Sequence, residues 1–419
     1  MPGAPNVAKF AAVNRVVTRL SPQPEFICFP GDEIMGLTTD AEALREQWRS
    51  WFDEEMAWLD REVTPLYHTT GNHTTYDAMS EGVFREMLGW LPRNGPTGQD
   101  GLSYFVRRGD LLLVFVNTCW SGLGGEGRVE TAWLERVLAE HPDARYKLVV
   151  GHQPVFAVKG ACGPYQLELG PDEGVALWKV LVRHDVLAYL CSHVLTFDVQ
   201  VQQGVLQILT AGAATAYRKP DEYLHAVQLA LDPGRIRYQV LDTAGAVREW
   251  LSWPPVLPPS GEWGLLSAGE QAAPVTNGGL AAPESVTMVV WQFDGHCTDA
   301  GDGDAQTFLS GWSPGPALPA LWIGLLGRDQ QLGVLLSPQA GRSPRLWLGP
   351  TVNPGEPFAV QVALHPGMGP GGFLWRWSDG GPWSSMPGAE AWGAERVTLP
   401  ARWSTGHDRD NPRARPFRG

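Results

Sequence analysis

Four short runs of β-forming residues in the first half of the sequence each end in side chains that can bind a metal ion. The runs are "FPGD", ending at Asp32, "TTGNH", ending at Asn72 and His73, "VVGH", ending at His152, and "LCSH", ending at His193. Carboxylate oxygens, amide oxygens and imidazole nitrogens together suit divalent transition metals. A single histidine at a strand end is more often a hydrogen-bonded polar residue, so the hypothesis depends on all four runs occurring together.

The elements that must position these side chains follow an α/β pattern. Between residues 26 and 242, short strand-like runs alternate with segments of helical periodicity, which is typical of a layered α/β domain. Strands are predicted at 26–31, 66–71, 102–108, 111–118, 147–152 and 186–193, followed by a meander of further strands. Helices are predicted at 39–60, which opens with a Thr39/Glu42 capping box, and at 129–140 and 173–184. Loops at the carboxyl ends of strands meet at one sheet edge, so we expect the four motifs to converge there.

In their order, these motifs resemble those of the calcineurin-like metallophosphoesterases, which are Asp-x-His, Gly-Asp, Gly-Asn-His, Gly-His and Gly-His-x-His. The segments "GDEIMG", "GNHTTYD", "GHQPVF" and "SHVLTFD" match the last four, and the resemblance covers roughly residues 7–250. It implies an α/β (α+β) multi-layer sandwich in which central β-sheets are flanked by helices. It also implies hydrolysis of a phosphate mono- or diester, with a metal-bound hydroxide attacking the phosphorus.

The resemblance further implies a role for each matched residue. Asp32 would bridge two cations about 3.5–4 Å apart, and Asn72, His152 and His193 would complete the shell of the second cation. These ligand types suit Mn, Fe or Zn, bound as one ion or two. His73 is not a ligand in the family, and it would act on the phosphate or protonate the leaving oxygen, which suits a group that titrates near neutrality.

Two departures from the family pattern affect the ligands of the first metal. Nothing before Asp32 has the Asp-x-His pattern, and "AKFAAVNRVVTRL" predicts a helix with no strand ahead of it. In the last motif, Ser192 replaces the glycine and Leu195 replaces the second histidine. Asp198 would be a substitute oxygen ligand only if its loop turned back, and the alternative is a surface or capping carboxylate.

Two explanations of these departures stay open. Either the sequence lacks an upstream strand that carries Asp-x-His, or the protein has abandoned one metal and keeps a mononuclear site. Under the first explanation, we expect a longer form with that strand to be more stable and more active.

The length of the chain predicts a second domain, because 419 residues exceed what one hydrophobic core usually supports. We predict a metallophosphoesterase domain at 1–253, a linker rich in Pro, Gly and Ala at 254–283, and an all-β sandwich at 284–419. The sandwich is similar in strand pattern to concanavalin A-like and laminin G-like domains. Its many tryptophans either stack on sugars or fill its core, so a carbohydrate or protein ligand is a hypothesis for this domain.

Composition excludes several classes of partner. A net charge of −13 and a sequence pI of about 5.2 argue against binding in a nucleic-acid groove, because no basic cluster is present to displace counterions. The sequence has no apolar run of membrane-spanning length and no signal-peptide pattern, so we expect a cytoplasmic protein without a membrane partner, unless an N-terminal signal is missing. Five scattered cysteines are predicted to be buried free thiols, which favours a reducing compartment.

Two functions of different classes are compatible with the sequence. The first is a metal-dependent phosphoesterase acting on a small phosphate ester, whose identity the sequence does not reveal. The second is a binding protein built on a degenerate phosphoesterase scaffold that works through its lectin-like domain. The departures at the first metal favour the second function, and the intact set at the second metal favours the first.

Overall fold

The computed structural model describes residues 5–158, 168–215, 222–255, 289–296, 305–312, 321–337, 345–365, 372–386, 402–405 and 415–416. The chain divides into two compact units, Met1–Trp253 and Pro254–Gly419, and each is described by itself. Apart from its first two residues, the predicted linker at 254–283 lies outside the described residues.

The first unit contains helices and strands in alternation. The helices are α1 (Pro5–Val17), α2 (Ala41–Ser50), α3 (Ala78–Met87), α4 (Thr131–Glu140) and α5 (Pro171–Arg183), with a π-helical turn at Trp51–Glu55 and a 3-10 turn at Ser121–Leu123. The strands are β1 (Ile27–Phe29), β2 (Leu66–His68), β3 (Tyr104–Arg108), β4 (Leu111–Phe115), β5 (Tyr146–Val150), β6 (Ala188–Cys191), β7 (Phe197–Gln202), β8 (Val205–Thr210), β9 (His225–Asp232), β10 (Arg235–Asp242) and β11 (Val247–Trp253). The strands predicted from the sequence are present, most of them with shorter ends.

Three sheets organise this unit. A six-stranded mixed sheet has the order β3-β4-β5-β6-β8-β7, in which the four central strands from β4 to β8 are parallel and the two edge strands are antiparallel. β1 and β2 form a parallel pair, and β9, β10 and β11 form an antiparallel sheet. The prediction of an α/β domain with central sheets and flanking helices is confirmed.

The packing of α4 and α5 on the large sheet follows from their apolar faces. Trp133, Leu134 and Val137 of α4 recur at helical spacing and are buried, as are Leu177 and Leu181 of α5. They share one core with sheet residues that include Leu112, Val114 and Val149. Burial of these faces fixes the large sheet and therefore the loops at its edge.

The helix is shorter than the predicted 39–60: α2 spans Ala41–Ser50, and its cap lies one residue after the proposed Thr39. Asp40, not Thr39, caps α2, because its side chain accepts hydrogen bonds from the backbone N–H groups of Glu42 and Ala43. The Thr39/Glu42 capping box was therefore wrong, since the carboxylate next to Thr39 takes the same donors. The predicted apolar face is present, with Leu44 and Trp48 fully buried.

The second unit is built from strands. They are β12 (Val289–His296), β13 (Gln306–Trp312), β14 (Leu321–Leu326), β15 (Gln331–Leu336), β16 (Arg345–Thr351), β17 (Pro357–Leu364), β18 (Phe373–Trp377), β19 (Ser384–Ser385), β20 (Arg402–Thr405) and β21 (Arg415–Pro416). One sheet has the order β12-β17-β18-β19, and the other has the order β16-β15-β14-β13-β20, with β21 beside β13. All of these pairs are antiparallel except that of β13 and β21.

The two sheets of this unit share one hydrophobic core. Leu309, Ile323 and Val334 of one sheet belong to the same buried cluster as Val360 and Val362 of the other. Trp291 and Trp347 belong to this cluster, and Trp322 and Trp383 are buried outside it. The sandwich is therefore confirmed, and these four tryptophans are buried, whereas a sugar ligand stays a prediction.

Three of the five cysteines and the helices of the chain can be assessed in the described residues. Cys28, Cys119 and Cys191 are free, and the last two are buried, whereas Cys162 and Cys297 lie outside the described residues. Cys28 as a whole is only partly buried, but the loss of water around its thiol raises the pKa to about 12, which makes this thiol a poor nucleophile. Among the described helices, none is long and apolar enough to cross a bilayer.

The buried His365, just after β17, predicts acid sensitivity of the second unit. Burial lowers the pKa of His365 to about 4, from an ordinary value of 6.5. Between pH 6.5 and 4 the unfolded chain takes up a proton that the folded unit does not, so stability falls as the pH falls, by up to about 3 kcal/mol. Calorimetric melting at pH 7.5 and 5 should show a smaller pH effect in His365→Leu than in the wild type.

The exposed His296, at the end of β12, provides the matched control. His296→Gln should keep the pH effect of the wild type. Equal pH effects in His365→Leu and in the wild type would contradict the assignment.

Candidate metal centre

Asp32 lies in the loop after β1 and is fixed there by both carboxylate oxygens. Its backbone is in the left-handed region, with φ 63°, which few non-glycine residues adopt. The backbone N–H of His73 donates to Oδ1 at 2.9 Å. Oδ2 lies 3.0 Å from Nε2 of His152. Asp32 therefore joins the Gly-Asn-His loop through one oxygen and faces His152 with the other.

Gly71 allows the loop after β2 to approach Asp32. A Cβ on Gly71 would lie 2.2 Å from Asp32 Oδ1, too close for any side chain. The backbone carbonyl of Gly71 accepts hydrogen bonds from the N–H groups of Thr74 and Thr75, which close a tight turn. This turn places Asn72 Oδ1 3.0 Å from His152 Nε2 and 3.1 Å from His193 Nδ1.

His152 follows β5 and is fully buried, and its tautomer is set by one contact. Its Nδ1 lies 2.8 Å from the carbonyl oxygen of Pro30, which can only accept a hydrogen bond. In the neutral ring, Nδ1 therefore carries the proton and Nε2 has a free lone pair. That lone pair points to Asp32, Asn72 and His193.

His193 follows β6, with φ 71° and a side chain that is 8% exposed. Its Nδ1 lies 3.1 Å from His152 Nε2. Burial, with a further contribution from the neighbouring His152, lowers the pKa of His193 to about 4. The ring is therefore neutral at neutral pH and can offer a nitrogen lone pair to a metal.

The four side chains thus bring together four atoms that can each offer a lone pair to a cation. These atoms are Asp32 Oδ2, Asn72 Oδ1, His152 Nε2 and His193 Nδ1. Acceptors about 3 Å apart repel one another unless a proton or a cation lies between them. Nitrogen and oxygen ligands in this arrangement suit a divalent transition metal, so the residues fit the group that the sequence predicts.

Without a metal, a proton shared between Asp32 and His152 relieves part of this repulsion. Burial alone would raise the pKa of Asp32, but the charge and hydrogen bond of His152, helped by His73, lower it. Burial alone would lower the pKa of His152, but attraction to Asp32 and the hydrogen bonds to Asp32 and Pro30 raise it. Asp32, His152 and His193 also form the group of metal-binding side chains found among the described residues, with ligand atoms within 4.8 Å of one another.

His73 lies beside this set but is not part of it. Its Nδ1 is 2.8 Å from the backbone carbonyl oxygen of Met35, so the neutral ring carries its proton on Nδ1 and leaves Nε2 free. The loop that follows Asp32 packs against its backbone, since a Cβ on Gly36 would overlap the His73 carbonyl. Met35 and Leu37, whose side chains are exposed, lie in this loop next to His73.

Sequence reasoning missed two residues next to the ligands. Glu126 comes from the glycine-rich loop between β4 and α4, and its Oε1 lies 3.6 Å from His193 Nε2. Gln153, directly after His152, donates from Nε2 to Glu126 Oε1 at 3.2 Å. A single carboxylate in "SGLGGEG" at a strand-to-helix loop was the available signal.

A buried pair behind Asp32 was also missed. Glu33 Oε1 lies 2.8 Å from His68 Nδ1, and both side chains are fully buried. The His68 ring is surrounded by aromatic side chains, those of Phe29, Trp48, Trp51, Phe52 and Trp90. The pair holds Glu33, the residue after Asp32, against β2, and it fixes the start of the loop that follows β1.

The structure also places the residues that depart from the family pattern. Ser192 is buried and Leu195 is half-buried, on either side of His193 and Val194. Asp198 is buried in β7, where its Oδ2 accepts from Gln200 Nε2 at 2.9 Å. Asp198 is therefore neither a surface carboxylate nor part of the group of converging ligand atoms found among the described residues.

Residues 6–197 match the family model described as Calcineurin-like phosphoesterase. The matched segment lies within the first unit, includes Asp32, Asn72, His152 and His193, and supports the metallophosphoesterase family for this part of the chain. The resemblance inferred from the sequence is confirmed.

Individual relatives are distant. GpdQ of Arcobacter nitrofigilis, described as a probable glycerophosphodiester phosphodiesterase, is 25% identical over 181 residues, which are 42% of this chain and 59% of that protein. The chain thus spans less than two thirds of this relative's length. Purple acid phosphatase PPD1 from yellow lupin (Lupinus luteus) has 14% identity and a TM-score of 0.44, covering 58% of this chain and 48% of that one. GAP50, the anchor in the inner membrane complex of Plasmodium, has 13% identity and a TM-score of 0.41, covering 60% of this chain and 84% of that one.

The converging lone pairs predict a metal stoichiometry. We expect about one divalent transition metal per chain after supplementation and desalting, because one complete ligand set is present among the described residues. His152→Ala should lose most of this metal, since its Nε2 is central to the set. Elemental analysis measures both values, with His141→Ala, just after α4, as the control that keeps the metal. A wild-type chain without metal would contradict the assignment.

The close approach of Gly71 to Asp32 predicts a second effect. Gly71→Ala should weaken metal binding by about 10–100-fold, because the new methyl group must displace the Asp32 carboxylate. Calorimetric titration with Mn²⁺ measures the change. Gly82→Ala in α3 is the matched control, because a Cβ there has nothing within 4 Å. Equal affinities of the two variants would disprove the constraint.

Proposed function

We propose that this chain is a metal-dependent phosphoesterase that hydrolyses a small phosphate mono- or diester. The observation that carries the proposal is the convergence of four lone-pair atoms, from Asp32, Asn72, His152 and His193, at the ends of β1, β2, β5 and β6. The match of residues 6–197 to the calcineurin-like phosphoesterase family model supports it. The distant relatives named above do not identify the substrate.

The four converging residues would hold the metal, and Mn, Fe and Zn are the ions that suit them. A bound divalent cation supplies two kinds of chemistry in such a site: it acidifies a water that serves as nucleophile, and it withdraws charge from a phosphoryl oxygen. The chain holds the histidine ligands in a form ready for binding. His193 is neutral at neutral pH, and the Pro30 carbonyl keeps the His152 proton on Nδ1.

We assign protonation of the leaving oxygen to His73. The Met35 carbonyl accepts from its Nδ1–H, so Nε2 is the atom left to face a substrate. In its protonated form, His73 would donate the Nε2 proton to the leaving oxygen as the P–O bond breaks. The exposed Met35 and Leu37 beside it would contact the organic part of the ester.

His73→Ala tests this role. We expect turnover of phenyl phosphate to fall by about 10²–10⁴-fold, because general acid help is lost. The loss should be smaller with 4-nitrophenyl phosphate, whose leaving oxygen needs less protonation. Steady-state kinetics with both esters gives the two ratios.

Metal content provides the control for this experiment. His73→Ala should keep the metal of the wild type, because His73 is outside the converging set, whereas His152→Ala should lose it. Equal metal loss in both variants, or equal loss of turnover with both esters, would refute the division of roles.

The second candidate function is that of a binding protein on a degenerate scaffold, with a carbohydrate or protein ligand at the second unit. Leu195 at the position of the family's second histidine favours it, because a leucine cannot bind a metal. A chain that binds metal fully yet hydrolyses neither aryl ester would favour this candidate over the phosphoesterase.

A further inference from the structure

One ring nitrogen at the candidate metal centre faces away from it. His193 Nε2 is buried and has no hydrogen-bond partner within bonding distance in the described structure. A buried polar atom in this state costs about 1–3 kcal/mol unless something satisfies it. The atom 3.6 Å from it is Oε1 of Glu126, just beyond a hydrogen bond.

The tautomer of the His193 ring determines which atom of this contact is the donor. If His193 Nδ1 binds a metal, the neutral ring must carry its proton on Nε2, which then becomes a donor. A carboxylate is a strong acceptor for such a donor, and metal-binding histidines commonly donate their second N–H to one. A movement of a few tenths of an ångström would bring Glu126 into hydrogen-bond distance.

The surroundings of Glu126 hold it in this place. Gln153 donates to its Oε1 from Nε2 at 3.2 Å, and the Gln153 side chain is buried. The backbone carbonyl of Gln153 accepts from the Tyr189 hydroxyl at 2.8 Å, which anchors it to β6. Because Gln153 follows His152, Glu126 is tied to the loops of both histidine ligands.

We propose that Glu126 is a positioning residue for the metal centre: it accepts the Nε2–H of His193 and thereby keeps Nδ1 free for the metal. This inference rests on the proposed function, because it requires that the converging set binds a metal. Its carboxylate would also add negative charge near the cation without being a ligand itself. Glu126 has no counterpart among the motifs that identify the family.

Metal titrations of Glu126 variants test the proposal. Calorimetry with Zn²⁺ should give about 10–100-fold weaker binding for Glu126→Ala than for the wild type. Glu126→Gln should recover part of this loss, because its amide oxygen still accepts from Nε2–H. Glu130→Gln, four residues further along the same loop, is the control that should bind Zn²⁺ like the wild type.

Nitrogen NMR of the Zn²⁺-loaded protein gives a second readout that general destabilisation would not produce. In the wild type, the His193 ring should carry its proton on Nε2 with the chemical shift of a hydrogen-bonded donor. In Glu126→Ala the shift should move to that of an unbonded N–H, while the melting temperature of the metal-free protein stays close to that of the wild type.

The outcomes separate this inference from the proposed function. If the wild type binds no Zn²⁺, Mn²⁺ or Fe²⁺, the proposed function fails and this inference fails with it. If the wild type binds Zn²⁺ and both Glu126 variants bind it equally well with an unchanged Nε2 signal, only the inference is overturned. If Glu126→Ala does not fold, the affinity and Nε2 signal of Glu126→Gln decide, and values equal to those of the wild type overturn the inference.

Discussion

The convergence of four metal-binding side chains is the constraint on which the first unit depends. Asp32, Asn72, His152 and His193 come from four separate strand ends, and His152 Nε2 lies 3.0–3.1 Å from an oxygen or nitrogen atom of each of the other three. Such contacts need a proton or a cation between the atoms. The parallel neighbours β1 and β2 belong to one sheet and β5 and β6 to another, and together they hold the four loops in place. The loops thus favour positive charge where these strand ends converge.

Backbone strain at two of these strand ends also indicates that the loops are held in place. Asp32 and His193 are both non-glycine residues with positive φ, at 63° and 71°, and such residues cost about 1–3 kcal/mol each. They persist only where the surroundings fix them. For Asp32 the surroundings are the close approach of Gly71 and the buried Glu33–His68 pair inside its aromatic shell. For His193 they are the contacts of its Nδ1 with Asn72 Oδ1 and His152 Nε2, both at 3.1 Å, and Glu126 near its Nε2.

The sequence predicted which side chains converge and most of the strands because both depend on local patterns. Runs of β-forming residues end at the motifs, and parallel strands bring their carboxyl ends to one edge whatever the loop lengths. The α2 cap was misassigned because Thr39 and Asp40 are adjacent acceptors that compete for the same N–H groups. α3 was not predicted, although Asp77 and Ser80 form a capping box there and Val83 and Phe84 are buried. Glu126 was missed because the carboxylate in its glycine-rich loop gives only a weak local signal, and only the tertiary fold brings it near His193.

The structure also bears on how many metals the described residues can hold. Asp32 Oδ1 already accepts from the His73 N–H, so a bridging role would have to use the second lone pair of that oxygen. Leu195 supplies no ligand, and the buried Asp198 is hydrogen-bonded to Gln200 in β7 instead of joining the converging set. Asp32 Oδ2 is therefore the carboxylate oxygen that would join Asn72, His152 and His193 in holding one cation. A first-site cation bound through other groups would lack the ligand that Leu195 replaces, so the two positions would differ in affinity and the second-metal position would fill first.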